Sequence, residues 1–204
     1  MSYERVVWDF DGVLVDSRLE SWRSASEILA LLGIDVSIRS QNTFRKYFTQ
    51  EGVFSDADRS VLKEMHRLIM KSRAGSLELH PCMNLVAQLT VPSEVITSSF
   101  RTVAEKVLGE HAACFVNIRG HESDSKEALL RAASRNAIFI TDTVVDVERC
   151  RKYSIPVIAV AWGFDPLGEL EKARPDFIVE SSEQLAAVFR KLRLLDGAAP
   201  SEYA

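Results

Sequence analysis

The chain has 204 residues, 47% of them hydrophobic and 26% charged, and a formal net charge of −4. That length holds one good-sized domain, or a core domain carrying a small inserted one, and the apolar content excludes general disorder. The acidic balance argues against a nucleic-acid or anionic-membrane partner but leaves a phosphate ligand open, because local field matters more than net charge.

The first informative stretch is Val6-Val7-Trp8-Asp9-Phe10-Asp11-Gly12-Val13-Leu14-Val15-Asp16-Ser17. A short apolar run meeting two carboxylates and a glycine reads as a buried strand that ends in a loop. Alternate strand residues share a face, so Asp9 and Asp11 are expected to point the same way. Two such carboxylates repel unless a cation lies between them, and hard oxygen ligands suit Mg²⁺. Asp9 and Asp11 could also do no more than close a strand end.

From Arg18 to Leu32, the residues Trp22, Ala25, Ile28, Leu29 and Leu32 recur at three- and four-residue steps, which predicts a helix with one buried face ending at Gly33. A shorter, partly aromatic piece spans 42–50. Ser55 followed by Asp58 opens a further helix whose stripe is Val61, Leu62, Met65, Leu68 and Ile69, closed by Gly75. Residues 18–78 therefore read as all-helical.

From Pro81 the rhythm changes to helix–strand alternation. Helices over 82–90, 100–109, 124–135, 144–153 and 181–195 frame strands over 94–97, 114–118, 137–141, 156–161 and 177–179. Apolar strands alternating with helices predict a parallel sheet covered on both faces. The expected fold class is α/β: a Rossmann-like doubly wound parallel sheet core (1–17 and 79–195) with an inserted small all-helical cap domain (18–78). The tail over 196–204 is expected to fray. Cys82, Cys114 and Cys150 are widely spaced and form no Cys-x-x-Cys pair, so free thiols are expected. No signal pattern and no apolar run of membrane-spanning length is visible, which predicts a cytoplasmic protein. Monomer and homodimer both remain open.

Ligands of such sheets bind beyond the carboxyl ends of the strands. Asp9, Thr97 and Asp142 each fall at or just past a predicted strand end. The hydroxyls and amides of Thr97-Ser98-Ser99 suit a phosphate oxygen at a helix start, and equally suit a simple cap. Lys126 sits near the start of its helix, where the dipole disfavours a cation. It makes sense there if it reaches phosphate or carboxylates, although a solvated surface lysine is the plainer reading. Asp142 and Asp146 are one helical turn apart and can face one site, or merely favour a helix N-terminus.

Together these stretches resemble the haloacid dehalogenase superfamily in its phosphatase branch. The resemblance rests on Asp-x-Asp-Gly-Val-Leu-Val-Asp-Ser at 9–17, Thr97, Lys126 and Asp-x-x-x-Asp at 142–146. Ala161-Trp162-Gly163-Phe164 and Arg174-Pro175-Asp176-Phe177-Ile178-Val179 look like the late-core segments of phosphoglycolate-phosphatase-like members with a helical cap. The resemblance implies that Asp9 is a nucleophile forming an aspartyl-phosphate and Asp11 the general acid and base. It implies Mg²⁺ held by Asp9, the Asp11 carbonyl and Asp142, with Asp146 helping through water or Lys126. Thr97, Ser98 and Lys126 would bind the phosphoryl oxygens. An acid at Asp11 points to phosphate esters rather than halogenated acids. The partner implied is a small phosphorylated metabolite, with Arg18, Arg23, Arg45 and Lys46 as candidate cap contacts. Thr141 stands where the family usually has Gly, and Ser98 where Asn is common. A phosphosugar mutase and a degenerate binding or regulatory member are the alternative functions.

Overall fold

The computed structural model describes residues 3–48, 52–133 and 136–196. Its centre is a six-stranded, wholly parallel sheet. The strands are β1 (Arg5–Trp8), β4 (Ser93–Ile96), β5 (Phe115–Arg119), β6 (Ala137–Thr141), β7 (Val157–Val160) and β8 (Phe177–Val179), in the order β5-β4-β1-β6-β7-β8. β1 lies inside the sheet, with Val7 opposite Glu94 of β4 on one side and opposite Phe139 of β6 on the other. The strand order reverses direction at β1, and a doubly wound sheet opens its crevice at that point.

The alternation of side chains along each strand builds two separate cores. Val6, Trp8, Val95, Ile138, Ile140, Ile158 and Val160 face one side. There they pack against α4 (Met83–Val86), α5 (Arg101–Leu108) and α9 (Ser182–Lys191), and Trp8 meets Phe189 edge-on at 5.7 Å between ring centroids. Val7, Ile96, Phe139, Val157 and Ala159 face the other side, under α6 (Lys126–Ala133), α7 (Val144–Lys152) and α8 (Leu167–Ala173). Strands buried on both faces need apolar residues at every position, which is why β1 and β6 are apolar runs.

Between β1 and β4, α1 (Arg18–Leu31), α2 (Gln41–Phe48) and α3 (Asp56–Ser72) gather around a cluster of their own, made of Ala25, Ile28, Leu29, Ile38, Phe48 and Leu62. Phe44 and Phe48 stack at 4.8 Å inside it, and Trp22 and Tyr47 pack against it. α3 begins as expected at Ser55, whose hydroxyl accepts the Asp58 N–H. A short antiparallel ribbon, β2 (Val15–Asp16) with β3 (Glu78–Leu79), ties the two ends of this helical segment together.

Several expected elements differ. The helix over 82–90 is one turn, Met83–Val86. α8 and the β2–β3 ribbon were not anticipated; both are short, and two-residue strands carry no readable alternation. Expected helix ends at 49–50 and 134–135, and the tail beyond Asp196, lie outside the described residues. Cys82 and Cys150 are buried and all three cysteines are free; burial pushes the Cys82 thiol up to about 12. Among the described residues no helix is long and apolar enough to cross a membrane.

Candidate active site

β1 delivers Asp9 to the carboxyl edge of the sheet, where its backbone N–H bonds the Ile140 carbonyl at 2.9 Å. The chain then turns back on itself: the Leu14 N–H reaches the Phe10 carbonyl and the Gly12 N–H the Val15 carbonyl, both at 2.9 Å. Gly12 adopts φ +75°, and a Cβ there would lie 2.1 Å from Asp142 Oδ2. Gly163 approaches the same carboxylate from the opposite loop, and its Cβ would lie 2.2 Å from Oδ2. Any side chain at either position would collide with Asp142.

Asp9 is buried, and its Oδ1 accepts the Phe10 N–H at 2.8 Å. Its Oδ2 receives Lys126 Nζ at 2.5 Å. The same Nζ donates to Asp146 Oδ2 at 2.5 Å, and Arg149 holds Asp146 Oδ1 at 2.7 Å. Lys126 is thus no surface lysine. It starts α6, where the Ser125 hydroxyl accepts the Ala128 N–H, and its ammonium lies over the Phe139 ring, 5.5 Å from the centroid. Thr141, in place of the expected glycine, lies with its hydroxyl 3.4 Å from Asp9 Oδ2 and 3.5 Å from Asp146 Oδ2.

Asp142 is fully buried at the end of β6. Its Oδ2 accepts the Phe164 N–H at 2.7 Å, while Oδ1 has no hydrogen-bond partner among the described residues. Asp11 is met by the loop that follows β4. Ser99 Oγ donates to its Oδ2 at 2.6 Å, and Thr97 Oγ1 stands 3.5 Å from the same oxygen. The Thr97 hydroxyl accepts the Ser99 N–H at 3.0 Å. The Ser98 side chain is exposed; its carbonyl accepts Arg67 Nε at 3.1 Å.

Burial pushes the Asp9 carboxyl up to about 7, opposed by Lys126 and reinforced by Asp146 and Asp11. Asp142 is raised well above the ordinary carboxylate range, by burial first and then by the charge of Asp9. Asp146 goes down: burial acts against its charge, but Lys126 and Arg149 outweigh it. Lys126 is raised despite burial, because Asp146 and Asp9 stabilise its charge. Burial thus opposes the charges of Asp9 and Asp142, and a divalent ion beside them would offset that by stabilising both carboxylates. Among the described residues, no three His, Cys, Asp or Glu side chains form a group that could hold an ion. Mg²⁺ does not require one, since it takes one or two carboxylates and keeps several waters. The unpartnered Asp142 Oδ1, with Asp9 nearby, suits that ligand set. Asp146, with both oxygens already bound, suits a supporting place behind it.

Of the four candidate contacts on the helical segment, Arg18 and Arg45 reach the core loop beside Asp142. Arg18 Nη1 donates to the Gly163 carbonyl at 2.9 Å, and Arg45 pairs with buried Asp165, which also accepts the Val144 N–H at 2.7 Å. Arg23 turns to Glu20 at 3.0 Å, and Lys46 lies over the Tyr47 ring. The sequence marks Ser99 only as a hydroxyl suited to phosphate, not as a partner of Asp11, and does not mark Arg149, Asp165 or Arg67. Ser99 is two residues beyond Thr97 and Arg149 three beyond Asp146, spacings that hint at shared faces; nothing marked Asp165 or Arg67.

No family model and no curated protein matches the chain. Solved structures do. A predicted phosphatase from Clostridium acetobutylicum aligns at 23% identity over 94% of this chain and 100% of its own, with a TM-score of 0.78. A haloacid-dehalogenase-like hydrolase from Streptococcus pneumoniae aligns at 22% identity over 92% and 98%, with a TM-score of 0.70. A provisionally named phosphoglycolate phosphatase from Lactobacillus plantarum aligns at 19% identity over 93% and 100%, with a TM-score of 0.74. The fold is therefore that of haloacid-dehalogenase-like phosphatases, those of the phosphoglycolate-phosphatase type included.

Proposed function

We propose that this chain is a divalent-metal-dependent phosphatase, with Mg²⁺ as the metal and a small phosphorylated metabolite as substrate. The observation that carries the reading is the buried Asp9–Lys126–Asp146 array beside an Asp142 oxygen that no group among the described residues satisfies. The shared fold with structures named as phosphatases supports it.

In this reading the Asp9 carboxylate attacks phosphorus and forms an acyl phosphate. The P–O bond to the leaving group breaks as Asp11 gives that oxygen its proton. Asp11, now a carboxylate, takes a proton from water as the water oxygen attacks the phosphoenzyme, and Asp9 is released with inorganic phosphate. Lys126 keeps Asp9 ionised and oriented, and its charge supports the phosphoryl oxygens together with Thr97. Asp9, the Asp11 carbonyl and Asp142 would hold the metal, which supplies charge neutralisation for the phosphoryl group. The three helices over 18–72 act as the cap domain, closing over the substrate and excluding water. Phosphate release from a panel of small phosphate esters, with Mg²⁺ and with chelator, tests the proposal. Metal-dependent release is expected, and Asp9→Asn should abolish it while the melting temperature holds. An Asp9→Asn variant with near-normal turnover would remove the nucleophile from the scheme.

A further inference from the structure

We infer that Ser99 is a positioning residue that aims the general acid and base Asp11; this rests on the phosphatase reading above. The geometry is specific. Asp11 has two hydrogen-bond contacts among the described residues, and both fall on Oδ2: the short one from Ser99 Oγ at 2.6 Å and the long one from Thr97 Oγ1 at 3.5 Å. Oδ1 is left as the oxygen that can exchange a proton. A carboxyl group has a freely turning terminal torsion, so an acid without such an anchor spends much of its time misdirected.

Helix capping does not account for the Ser99 hydroxyl. α5 begins after Phe100, and no side chain at its N-cap position bonds the helix. Its exposed Arg101 N–H is taken by Glu122, at 2.9 and 3.1 Å. The Ser99 hydroxyl is spent on Asp11. The turn that carries it is clamped on three sides: the Thr97 hydroxyl takes the Ser99 N–H, the His121 N–H bonds the Ser99 carbonyl at 2.8 Å, and Arg67 of α3 holds the preceding carbonyl at 3.1 Å. Two of these three clamps, the His121 N–H and Arg67, come from groups with no part in phosphoryl transfer in the reading above. The arm from Arg67 comes from the cap, so the aim of Asp11 is set by a turn that the docked cap helps to hold.

The proton from Asp11 matters only when the leaving oxygen needs one. The experiment compares kcat/KM for an alkyl phosphate, whose alkoxide cannot leave unprotonated, and for p-nitrophenyl phosphate, whose phenolate can. Ser99→Ala is expected to slow the alkyl ester about 10- to 100-fold, a fraction of what a positioned acid contributes, and to leave the aryl ester nearly unchanged. Ser99→Thr, which keeps the hydroxyl, should restore the alkyl rate. Equal losses on both esters, or none on either, would overturn the assignment, as would a threonine variant no better than alanine. A wild-type protein silent on both esters would instead overturn the phosphatase reading itself. Melting temperatures of all three proteins separate lost aim from lost fold.

Discussion

Lys126 sits where two buried carboxylates would otherwise repel each other, and its ammonium is the group both of them share. Replacing it with Met leaves Asp9 and Asp146 facing each other in the interior. Removing one partner of a buried pair costs about 3–5 kcal/mol. A drop of that order in denaturant stability, with loss of phosphate release, is the expected outcome. Gly163 makes a sharper test, because its backbone lies against Asp142 and does no chemistry. Gly163→Ala drives a methyl to 2.2 Å of the carboxylate, so Asp142 must move. The variant should lose any stabilisation by Mg²⁺ in a melting experiment, whether or not substrate is present. At this scale the sequence was most legible where chemistry demands a rare residue type. Asp9, Asp11, Thr97, Lys126, Asp142 and Asp146 all meet at one end of the sheet. Arg67 and Asp165 stayed hidden, and Ser99 stood out only as a hydroxyl suited to phosphate, because a serine, an arginine and an aspartate in loops or on a helix face are ordinary until the partner is known.

The helical insertion is fastened to the core through arginines. Arg45 reaches Asp165, Arg18 the Gly163 carbonyl and Arg67 the Ser98 carbonyl. Arg45→Met leaves Asp165, which is 1% exposed, with the Val144 N–H alone on its charged oxygen. A loss of about 3 kcal/mol is expected from stranding that charge. The inner packing of the helices has its own weak point. His66 lies between Ser21 and the Phe44–Phe48 stack, and burial lowers its pKa from the ordinary 6.5. The unfolded chain then takes up the proton more readily than the folded one. Its stabilising contribution is complete above 6.5 and is lost as pH falls through the depressed folded value. The melting temperature should decline on mild acidification, and the decline should shrink in His66→Gln. Apolar stripes predicted α1 and α3, while α2 was legible only as a short, partly aromatic piece. The arginine fastenings were not predictable, since their spans of up to 145 residues in sequence leave no local mark.

For the whole molecule, the parallel sheet and its two-sided cover were readable because β6, β7 and β8 are almost wholly apolar, although β4 carries Ser93 and Glu94. The order β5-β4-β1-β6-β7-β8 was not, since periodicity carries no information on which strands lie side by side. The charge balance of the site gives a prediction at this scale. An ion that binds the folded protein alone stabilises it by about 2.7 kcal/mol at a hundred times its dissociation constant. Mg²⁺ should therefore raise the melting temperature with a logarithmic dependence on concentration. Chelator should reverse the shift, and Asp142→Asn should remove it.

The central place of β1 has a further consequence for biosynthesis. Its Val6-Val7-Trp8 run leaves the ribosome ahead of both strands that flank it, and the second of these ends at Thr141. Gly163, which closes on Asp142, emerges later still. Until β4 and β6 emerge, the nascent chain carries this buried apolar run unpaired, a natural client for a chaperone. A fragment that stops before Gly163 cannot assemble the acidic centre, so the site is completed in one late step, when the sheet closes around its first strand.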